Sequence, residues 1–481
     1  MSMSWRARSH PGSVGRLSLP PGALPAAVAV FLIGGLGPNM MLAAFSVLVL
    51  LVGSALLWRP EESPILLFAF AFPWLQGSIA IFHANWLDIG IFDYAPFSGN
   101  AQSATLLSLS GLAAFAVGMR LGAGPWRAQD ALGLRQMALS QPMGRWFGLY
   151  AIAWVTSFLA LSFAWVVPGL LHLMLATATM RWVFFFMLAY SFFARGSGAG
   201  RLFPLAFLFE FATEVGTYFS DFKTVFFVTL FAAFAAGVRL TPRALIGFAA
   251  AAAVIVALGI VWTSIKVEYR AFVSGGEAKQ VVTVDYLTRL GKLAELAGDL
   301  NGETLANGAD QFLRRLSYVE FFGVVLVTVP HQLPHTHGAI VWDAVVRPFT
   351  PRMVFADKEA IDDTARTNLY TGGLVGISEG TSISLGYIAE TYIDFGEFGM
   401  IAALLAIGVF YGGVYRSLLR WKASRGLLGM AVATAVLTGA STMDNSFTKV
   451  FGGVVAALLV AWVMIWLVVP RLAPWLVPGR R

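Results

Sequence analysis

The hydrophobic positions of this chain fall into long, nearly uninterrupted segments that are separated by short polar connections. A helix that crosses a membrane needs about 20 mostly apolar residues, because the hydrocarbon core is roughly 30 Å thick and each residue rises about 1.5 Å. The pattern therefore predicts an all-α integral membrane protein with about twelve transmembrane helices. The predicted spans are residues 22–38, 40–58, 64–83, 102–120, 146–167, 177–194, 202–219, 223–238, 244–263, 397–415, 426–443 and 450–470.

The basic residues of the short connections predict the orientation of these spans. Loops that stay in the cytoplasm carry an excess of lysine and arginine. If the N-terminus is cytoplasmic, every short inner connection is basic, and the short outer ones hold little beyond Arg181, Lys223 and Lys449. The sequence thus predicts an even number of spans with both termini in the cytoplasm. The inner connections hold, among others, Arg59, Arg120, Arg127, Arg135, Arg145, Arg195, Arg201, Arg239, Arg243, Arg416, Arg420, Lys422 and Arg425.

One connection, residues 264–396, is far longer than the others and is predicted to be a large periplasmic loop between spans 9 and 10. It separates an N-terminal membrane bundle, residues 1–263, from a C-terminal one, residues 397–481. Loops of this length are usually functional or form a small domain. Helical patterns are predicted at 281–300 and 309–329. The second pattern places one amphipathic face at the membrane surface, formed by Phe312, Leu316, Val319, Phe322 and Gly323.

The composition supports a membrane protein and narrows its chemistry. The chain is 58% hydrophobic and 12% charged, with a mean hydropathy of +0.72, whereas soluble proteins are roughly 25% charged. The net charge of +7 comes from dispersed residues, so no basic patch indicates nucleic-acid binding. The absence of cysteine excludes disulfides, iron–sulfur clusters and a thiol nucleophile. The basic N-terminus precedes an apolar segment without a clear cleavage site, and it is expected to lead into an uncleaved first span.

The stretch "VVRPFTPRMVFADKE" places cations in a loop that prolines stiffen. Arg347 and Arg352 could bind a diphosphate, since a guanidinium group donates paired hydrogen bonds and stays charged. Rigidly held guanidinium groups would also stabilise the charge that builds on a diphosphate leaving group. Pro348 and Pro351 would supply that rigidity. The alternative is that these arginines pair with loop carboxylates such as Asp357, Asp362 and Asp363, or with lipid phosphates.

Two further groups of polar residues are candidates for chemistry. The histidines of "PHQLPHTHG" favour a solvated turn over a metal site, because no carboxylate cluster or cysteine completes a ligand set. These histidines, His331, His335 and His337, are better suited to act as a general base or as a hydrogen-bond donor to a sugar or phosphate than as metal ligands. The acids Glu210 and Glu214 lie one turn apart inside a predicted span, where ionisable groups usually serve a function. They would either couple transport to protons or pair with an arginine such as Arg181.

The end of the long loop, "TSISLGYIAETYIDFGEFGM", together with "RPFTPRMVFADKE" upstream, resembles the bacterial O-antigen and exopolysaccharide repeat-unit polymerases, the Wzy-type family. The motif-level resemblance covers about 60 residues. Two positions depart from the family pattern: Glu359 stands where a proline often follows the lysine, and Asp394 where an asparagine often precedes Phe-Gly. The matching positions are Pro351, Arg352, Lys358, Asn368, Thr381, Ser382, Gly386, Glu390, Tyr392, Phe395 and Gly396.

The resemblance implies a GT-C-like fold and a metal-independent glycosyltransferase of the bacterial inner membrane that needs no cofactor. The substrate would be an oligosaccharide repeat unit on undecaprenyl diphosphate, and a flippase and a chain-length-regulating co-polymerase would be partners. His337, Glu390 and Arg352 are the implied catalytic candidates, with Glu390 or His337 polarising the acceptor hydroxyl. The implied binding residues for diphosphate and glycan are Arg347, Arg352, Lys358, Arg270, Arg289, Arg314, Arg315 and Tyr392.

Two other functions fit the same pattern. An O-antigen ligase, which transfers glycan to lipid A core or to a protein, would share the donor chemistry and the topology. A transporter or flippase for polysaccharide or lipid carrier would also fit twelve spans, but transporters place their binding groups near the middle of the membrane, often in paired repeats. This chain shows no repeat, and its unusual chemistry lies in one loop. A transporter would depend on Glu210 and Glu214, and a transferase on the loop arginines.

Overall fold

A computed structural model describes residues 17–95, 99–125, 131–164, 170–215, 222–238, 241–275, 283–350, 362–373, 383–421, 426–468 and 470–471. Within these ranges the protein is helical and contains no strand. The helices are α1 Ala23–Val30, α2 Met40–Leu57, α3 Ile65–Trp86, α4 Ile91–Tyr94, α5 Ala101–Ala123, α6 Ala131–Ser140, α7 Met143–Ala164, α8 Leu171–Thr179, α9 Arg181–Arg195, α10 Leu202–Val215, α11 Lys223–Ala235, α12 Pro242–Val273, α13 Tyr286–Gly298, α14 Gly302–Leu316, α15 Val319–Thr328, α16 Ala339–Val346, α17 Asp363–Thr371, α18 Tyr387–Arg420, α19 Leu427–Thr438 and α20 Phe447–Val463.

Eight helical segments of the described chain are long and apolar enough to cross a membrane: Met40–Leu57, Ile65–Trp86, Ala101–Ala123, Met143–Ala164, Leu171–Arg195, Ala244–Val273, Tyr387–Arg420 and Phe447–Leu467. This confirms a multi-pass helical membrane protein. The remaining predicted spans coincide with shorter helices. For example, α10 has 14 residues and is about 21 Å long, less than the hydrocarbon thickness. The count of twelve therefore stays a prediction.

Helices α5 and α18 form the most extensive helix contact among the described residues, and glycines let their backbones approach. A Cβ on Gly118 or Gly122 would lie 2.1 Å from the carbonyl oxygen of Leu405 or Val409, respectively. From the other helix, a Cβ on Gly412 would lie 2.2 Å from the carbonyl oxygen of Met119. Small residues four apart are the usual means by which membrane helices bring their backbones together. The pair anchors α18, whose first residues belong to the candidate site.

The ends of the long connection differ from the prediction. Helix α12 continues to Val273, about three turns beyond the predicted end of its span, and α18 begins at Tyr387, before the predicted start at 397. Gly396 interrupts α18 with a φ of 68°, a left-handed conformation that favours glycine. The Phe-Gly sequence therefore marks a break inside a helix and not its beginning.

The predicted helix over 309–329 is two helices, α14 and α15, separated by Ser317 and Tyr318. The backbone N–H of Tyr318 donates to the carbonyl of Gln76 in α3, so a tertiary contact replaces helical continuity. The expected single amphipathic face is therefore wrong. Val319 and Phe322 are buried in the main core, whereas the Phe312 ring packs where a Cβ of Gly259 in α12 would lie. Helix α13, predicted over 281–300, is confirmed and carries Leu296 into a small core with Ile265 and Tyr269 of α12.

Candidate functional site

The N-terminus of α16 is fixed to the first part of α18 by one carboxylate. Asp394 accepts from the backbone N–H of Ile340 at 3.1 Å and of Val341 at 2.8 Å, and from the Thr336 hydroxyl. A carboxylate is favoured at this position because it satisfies free N–H groups and opposes the helix dipole. This contact gives a physical reason for an aspartate where the resembling family often has asparagine. It sets the direction in which α16 leads towards Arg347.

Arg347 lies at the C-terminal end of α16, and its side chain is held. Its Nε donates to Asp343 Oδ2 at 2.6 Å, one turn earlier in the helix. Pro348 follows and packs against Gly452 of α20. Arg347 therefore pairs with a nearby carboxylate, as the alternative interpretation of the loop arginines expected, and the carboxylate observed is Asp343.

A second cation, Arg366 on α17, is held by a deeply buried acid. Its Nη1 donates to Glu390 Oε1 at 2.9 Å, and the backbone N–H of Phe447 donates to Glu390 Oε2 at 2.6 Å. The Glu390 side chain is 1% exposed and that of Arg366 is 23% exposed. Burial would lower the pKa of Arg366, but the Glu390 carboxylate outweighs burial and the pKa is raised. Glu390 thus joins α17, α18 and α20, and both of its oxygens are engaged.

A third cation, Lys449, lies in the first turn of α20. Its Nζ is 2.8 Å from Asp363 Oδ2, and the hydroxyl of Ser446 donates to the same oxygen at 3.1 Å. Asp343 acts electrostatically on Arg366, so the three ion pairs belong to one group. We call Arg347, Arg366, Lys449 and their acids Asp343, Glu390 and Asp363 the cation cluster.

The sequence reasoning assigned Arg347 and Glu390 to a site but missed Arg366, Lys449 and Asp363 as site members. These residues lie far along the chain from their partners. Arg366 is 24 residues from Glu390, and Asp363 is 83 residues from Ser446, which bonds to it. Charged residues next to predicted spans were the available signal. Arg352 and Lys358, together with Pro351, Thr381 and Ser382, lie outside the described residues.

Three of the other predicted binding arginines lie over aromatic rings: Arg270 in α12, Arg289 in α13 and Arg314 in α14. Arg270 lies over Trp262, and Arg289 lies over Tyr286. Arg314 stacks 4.6 Å from the ring centre of Tyr94 and pairs with Asp310 at 2.9 Å. Arg315 is exposed on α14.

His337 and Tyr392 take different positions. His337 is exposed, with a φ of 50°, in the turn before α16. Tyr392 is buried, and its hydroxyl donates to the carbonyl of Val329 at 3.2 Å. Beside it, His335 Nδ1 lies 3.1 Å from the carbonyl oxygen of Ile393. Tyr392 is therefore held in the core behind α16. Within the described ranges, no group of three or more histidine and acidic side chains could hold a metal ion.

The acids Glu210 and Glu214 of α10 are paired. Arg181 bonds to Glu214 and lies 3.7 Å from Glu210 Oε2, and the Tyr150 hydroxyl donates to Glu210 Oε1 at 3.0 Å. The alternative that Glu210 and Glu214 pair with Arg181 is confirmed. This network joins α7, α9 and α10, away from the helices that carry the cation cluster.

Comparisons with known proteins locate one domain. A family model described as a domain of unknown function (DUF8712) matches residues 291–441. No curated protein and no solved structure matches the chain. The matched range covers less than half of the chain, and it contains Arg347, Asp363, Arg366 and Glu390 but ends before Lys449.

Proposed function

We propose that the protein polymerises oligosaccharide repeat units carried on undecaprenyl diphosphate into O-antigen or exopolysaccharide. It would act at the periplasmic face of the bacterial inner membrane, with both termini in the cytoplasm. The reaction is a metal-independent glycosyl transfer in which lipid diphosphate leaves. The observation that carries the proposal is the cation cluster, in which three cations from α16, α17 and α20 are fixed by three acids. The motif resemblance around the cluster supports it.

The cluster suits a diphosphate leaving group for electrostatic reasons. When the anomeric carbon–oxygen bond breaks, negative charge builds on the bridging oxygen. Cations whose positions are fixed beforehand stabilise this charge without reorganising, and removal of one such donor typically costs about 10²- to 10³-fold in rate. Arg366 and Lys449 keep 23% and 38% of their side-chain surfaces exposed. They can therefore meet a ligand while their acids hold them in place.

The motif resemblance assigns Arg352 and Lys358 to the same site, and both lie outside the described residues. The three acids already balance the three cations of the cluster. In this proposal the guanidinium group of Arg352 and the ammonium group of Lys358 are the further cations that contact the diphosphate.

The ion pairing of Glu210 and Glu214 favours the transferase over the transporter. Arg181 balances part of their charge, so the acids have a structural role that does not depend on proton coupling. The ligase alternative shares the donor site and differs in its acceptor, so an experiment must separate the two.

The test uses purified protein in detergent with chemically defined undecaprenyl-diphosphate repeat units from the host's own pathway, in the presence of EDTA. Products are resolved on a gel. We expect a ladder that persists under chelation and is lost in Arg366→Met, while Lys292→Met on α13 serves as a control that keeps the ladder. Transfer only after lipid A core is added would identify a ligase. If authentic substrate binds but no transfer product forms with either acceptor, the transferase proposal fails.

A further inference from the structure

A set of buried oxygen atoms beside the cation cluster has no hydrogen-bond partner among the described residues. They are Asp363 Oδ1, Tyr387 Oη, Asp444 Oδ1 and Thr448 Oγ1. An unsatisfied buried polar atom costs about 1–3 kcal/mol, and native proteins contain few of them. Four in one neighbourhood of a largely apolar bundle therefore indicate a place built to receive hydrogen-bonding groups.

The four atoms belong to residues that lie in one turn, residues 442–446, that contact it, or that lie next to a residue that contacts it. Ser446 donates to Asp363, and the Tyr318 hydroxyl donates to the carbonyl of Asp444 at 3.3 Å. The carbonyl oxygen of Met443 lies 2.4 Å from where a Cβ of Gly386 would be, so the turn touches the residue before Tyr387. Thr448 follows the turn in α20. Carboxylates and hydroxyls in this arrangement suit a ligand whose hydroxyl groups both donate and accept.

The two buried acids of the cation cluster, Glu390 and Asp363, differ in how many carboxylate oxygens are still available to accept a hydrogen bond. Glu390 uses one oxygen for Arg366 and the other for the N–H of Phe447. Asp363 uses only Oδ2, which Lys449 and Ser446 both contact. Asp363 Oδ1 therefore remains as the acceptor for a hydroxyl proton.

We infer that the turn at 442–446 is the subsite for the acceptor sugar and that Asp363 is the general base that activates its hydroxyl. This inference rests on the proposed polymerase function. The acceptor O–H bond breaks, and its proton goes to Asp363 Oδ1. The acceptor oxygen forms a bond to the anomeric carbon as the carbon–oxygen bond to phosphate breaks. The electron pair leaves on the lipid diphosphate, beside Arg366 and Lys449.

Asp363 is 2% exposed, and the acceptor would approach from the side where Lys449 and Arg366 reach solvent. The charged or titratable groups that face Asp363 are Lys449 of α20, Arg366 of α17, Glu390 of α18 and Tyr318 before α15. The subsite is therefore continuous with the cluster that holds the donor.

The test compares Asp363→Asn with wild type and with Asp299→Asn, an exposed carboxylate at the end of α13. Glycosidic bond formation from defined lipid-linked repeat units is measured between pH 4 and 8, and donor binding is measured by retention of radiolabelled lipid. We expect Asp363→Asn to lower kcat at least 100-fold, to bind donor within threefold of wild type, and to lose the fall in rate at acid pH. Asp299→Asn should resemble wild type.

Three results would overturn the inference in distinguishable ways. If wild type polymerises and Asp363→Asn keeps kcat within threefold, the base assignment is wrong and the polymerase proposal stands. If the residual rate of Asp363→Asn still falls at acid pH as the wild-type rate does, another group causes that fall and the assignment is again wrong. If wild type forms no glycosidic bond, the polymerase proposal fails and the assignment fails with it. Asp363→Glu, which keeps the charge but moves the carboxylate, serves as a second test in case Asp363→Asn prevents folding. We expect it to lower kcat at least tenfold with donor binding unchanged, and a wild-type kcat would overturn the assignment.

Discussion

The pair of Arg366 and Glu390 offers a prediction that depends on the structure alone. Substitution Arg366→Met removes the guanidinium group and leaves a carboxylate that is 1% exposed. Breaking one side of a buried ion pair costs about 3–5 kcal/mol, because the remaining charge is uncompensated. Here the N–H of Phe447 still bonds to Glu390 at 2.6 Å, so we expect a loss near the lower limit, about 3 kcal/mol of unfolding free energy.

The reverse substitution is expected to cost less. In Glu390→Gln, the amide oxygen can still accept from Phe447, and Arg366 can hydrate because its side chain is 23% exposed. We expect a loss of about 1–2 kcal/mol, the cost of a hydrogen bond to a charged group. In the double variant the buried charge is absent, so its loss should be smaller than the sum of the two single losses by at least about 1 kcal/mol.

Reversible unfolding in mixed detergent micelles, followed by circular dichroism, measures these differences. Lys292→Met, which removes partly exposed ion pairs with Glu295 of α13 and Glu268 of α12, is the matched control and should change stability by less than about 1 kcal/mol. Additive losses in the double variant, or a loss below about 1 kcal/mol in Arg366→Met, would refute the conclusion that Glu390 depends on Arg366.

Three further predictions test other parts of the structure. Gly412→Leu should disrupt the α5–α18 contact and cost more than about 3 kcal/mol of unfolding free energy, because its Cβ would lie 2.2 Å from a carbonyl oxygen. Gly413→Leu should be tolerated, because nothing lies within 4 Å of its Cβ. Expression yield and thermal stability in detergent compare the two variants, and equal losses would contradict the packing. Asp394→Ala should cost about 1–2 kcal/mol of unfolding free energy, because α16 loses its N-terminal cap. Asp394→Asn should keep most of that stability. A larger loss for asparagine than for alanine in the same unfolding assay would contradict the capping role. Arg181→Met should lower the unfolding free energy by about 3 kcal/mol, because it leaves Glu210 buried without its cation. The double variant Arg181→Met with Glu210→Gln should regain part of that stability. If it regains none, Glu210 does not rely on Arg181.

The helices of the bundle could be predicted from the sequence because hydrophobicity along a span is a local property. The pattern located α2, α3 and α5 to within a few residues. It placed the start of α18 too late, because the residues from Tyr387 to Asp394 are buried inside the protein although they do not continue the apolar run of the span. The break between α14 and α15 was not predictable, since Gln76, which bonds to Tyr318, lies 242 residues earlier.

The candidate site could be predicted only in part for the same reason. Arg347 and Glu390 lie in recognisable local sequences. Lys449 has no local feature that connects it to Asp363, and only the tertiary structure brings the two side chains to 2.8 Å. Local sequence also could not show that Glu390 has both oxygens engaged while Asp363 has one.

The central claim is that the cation cluster stabilises a departing lipid diphosphate during glycan polymerisation. The most direct measurement counts undecaprenyl diphosphate released against glycosidic bonds formed, with purified protein and defined lipid-linked repeat units. We expect wild type to release one undecaprenyl diphosphate for each glycosidic bond formed. In Arg366→Met we expect the rate of bond formation to be at least 100-fold lower, with the same ratio of diphosphate to bonds. Polymerisation at the wild-type rate in folded Arg366→Met, or bond formation without diphosphate release, would contradict it.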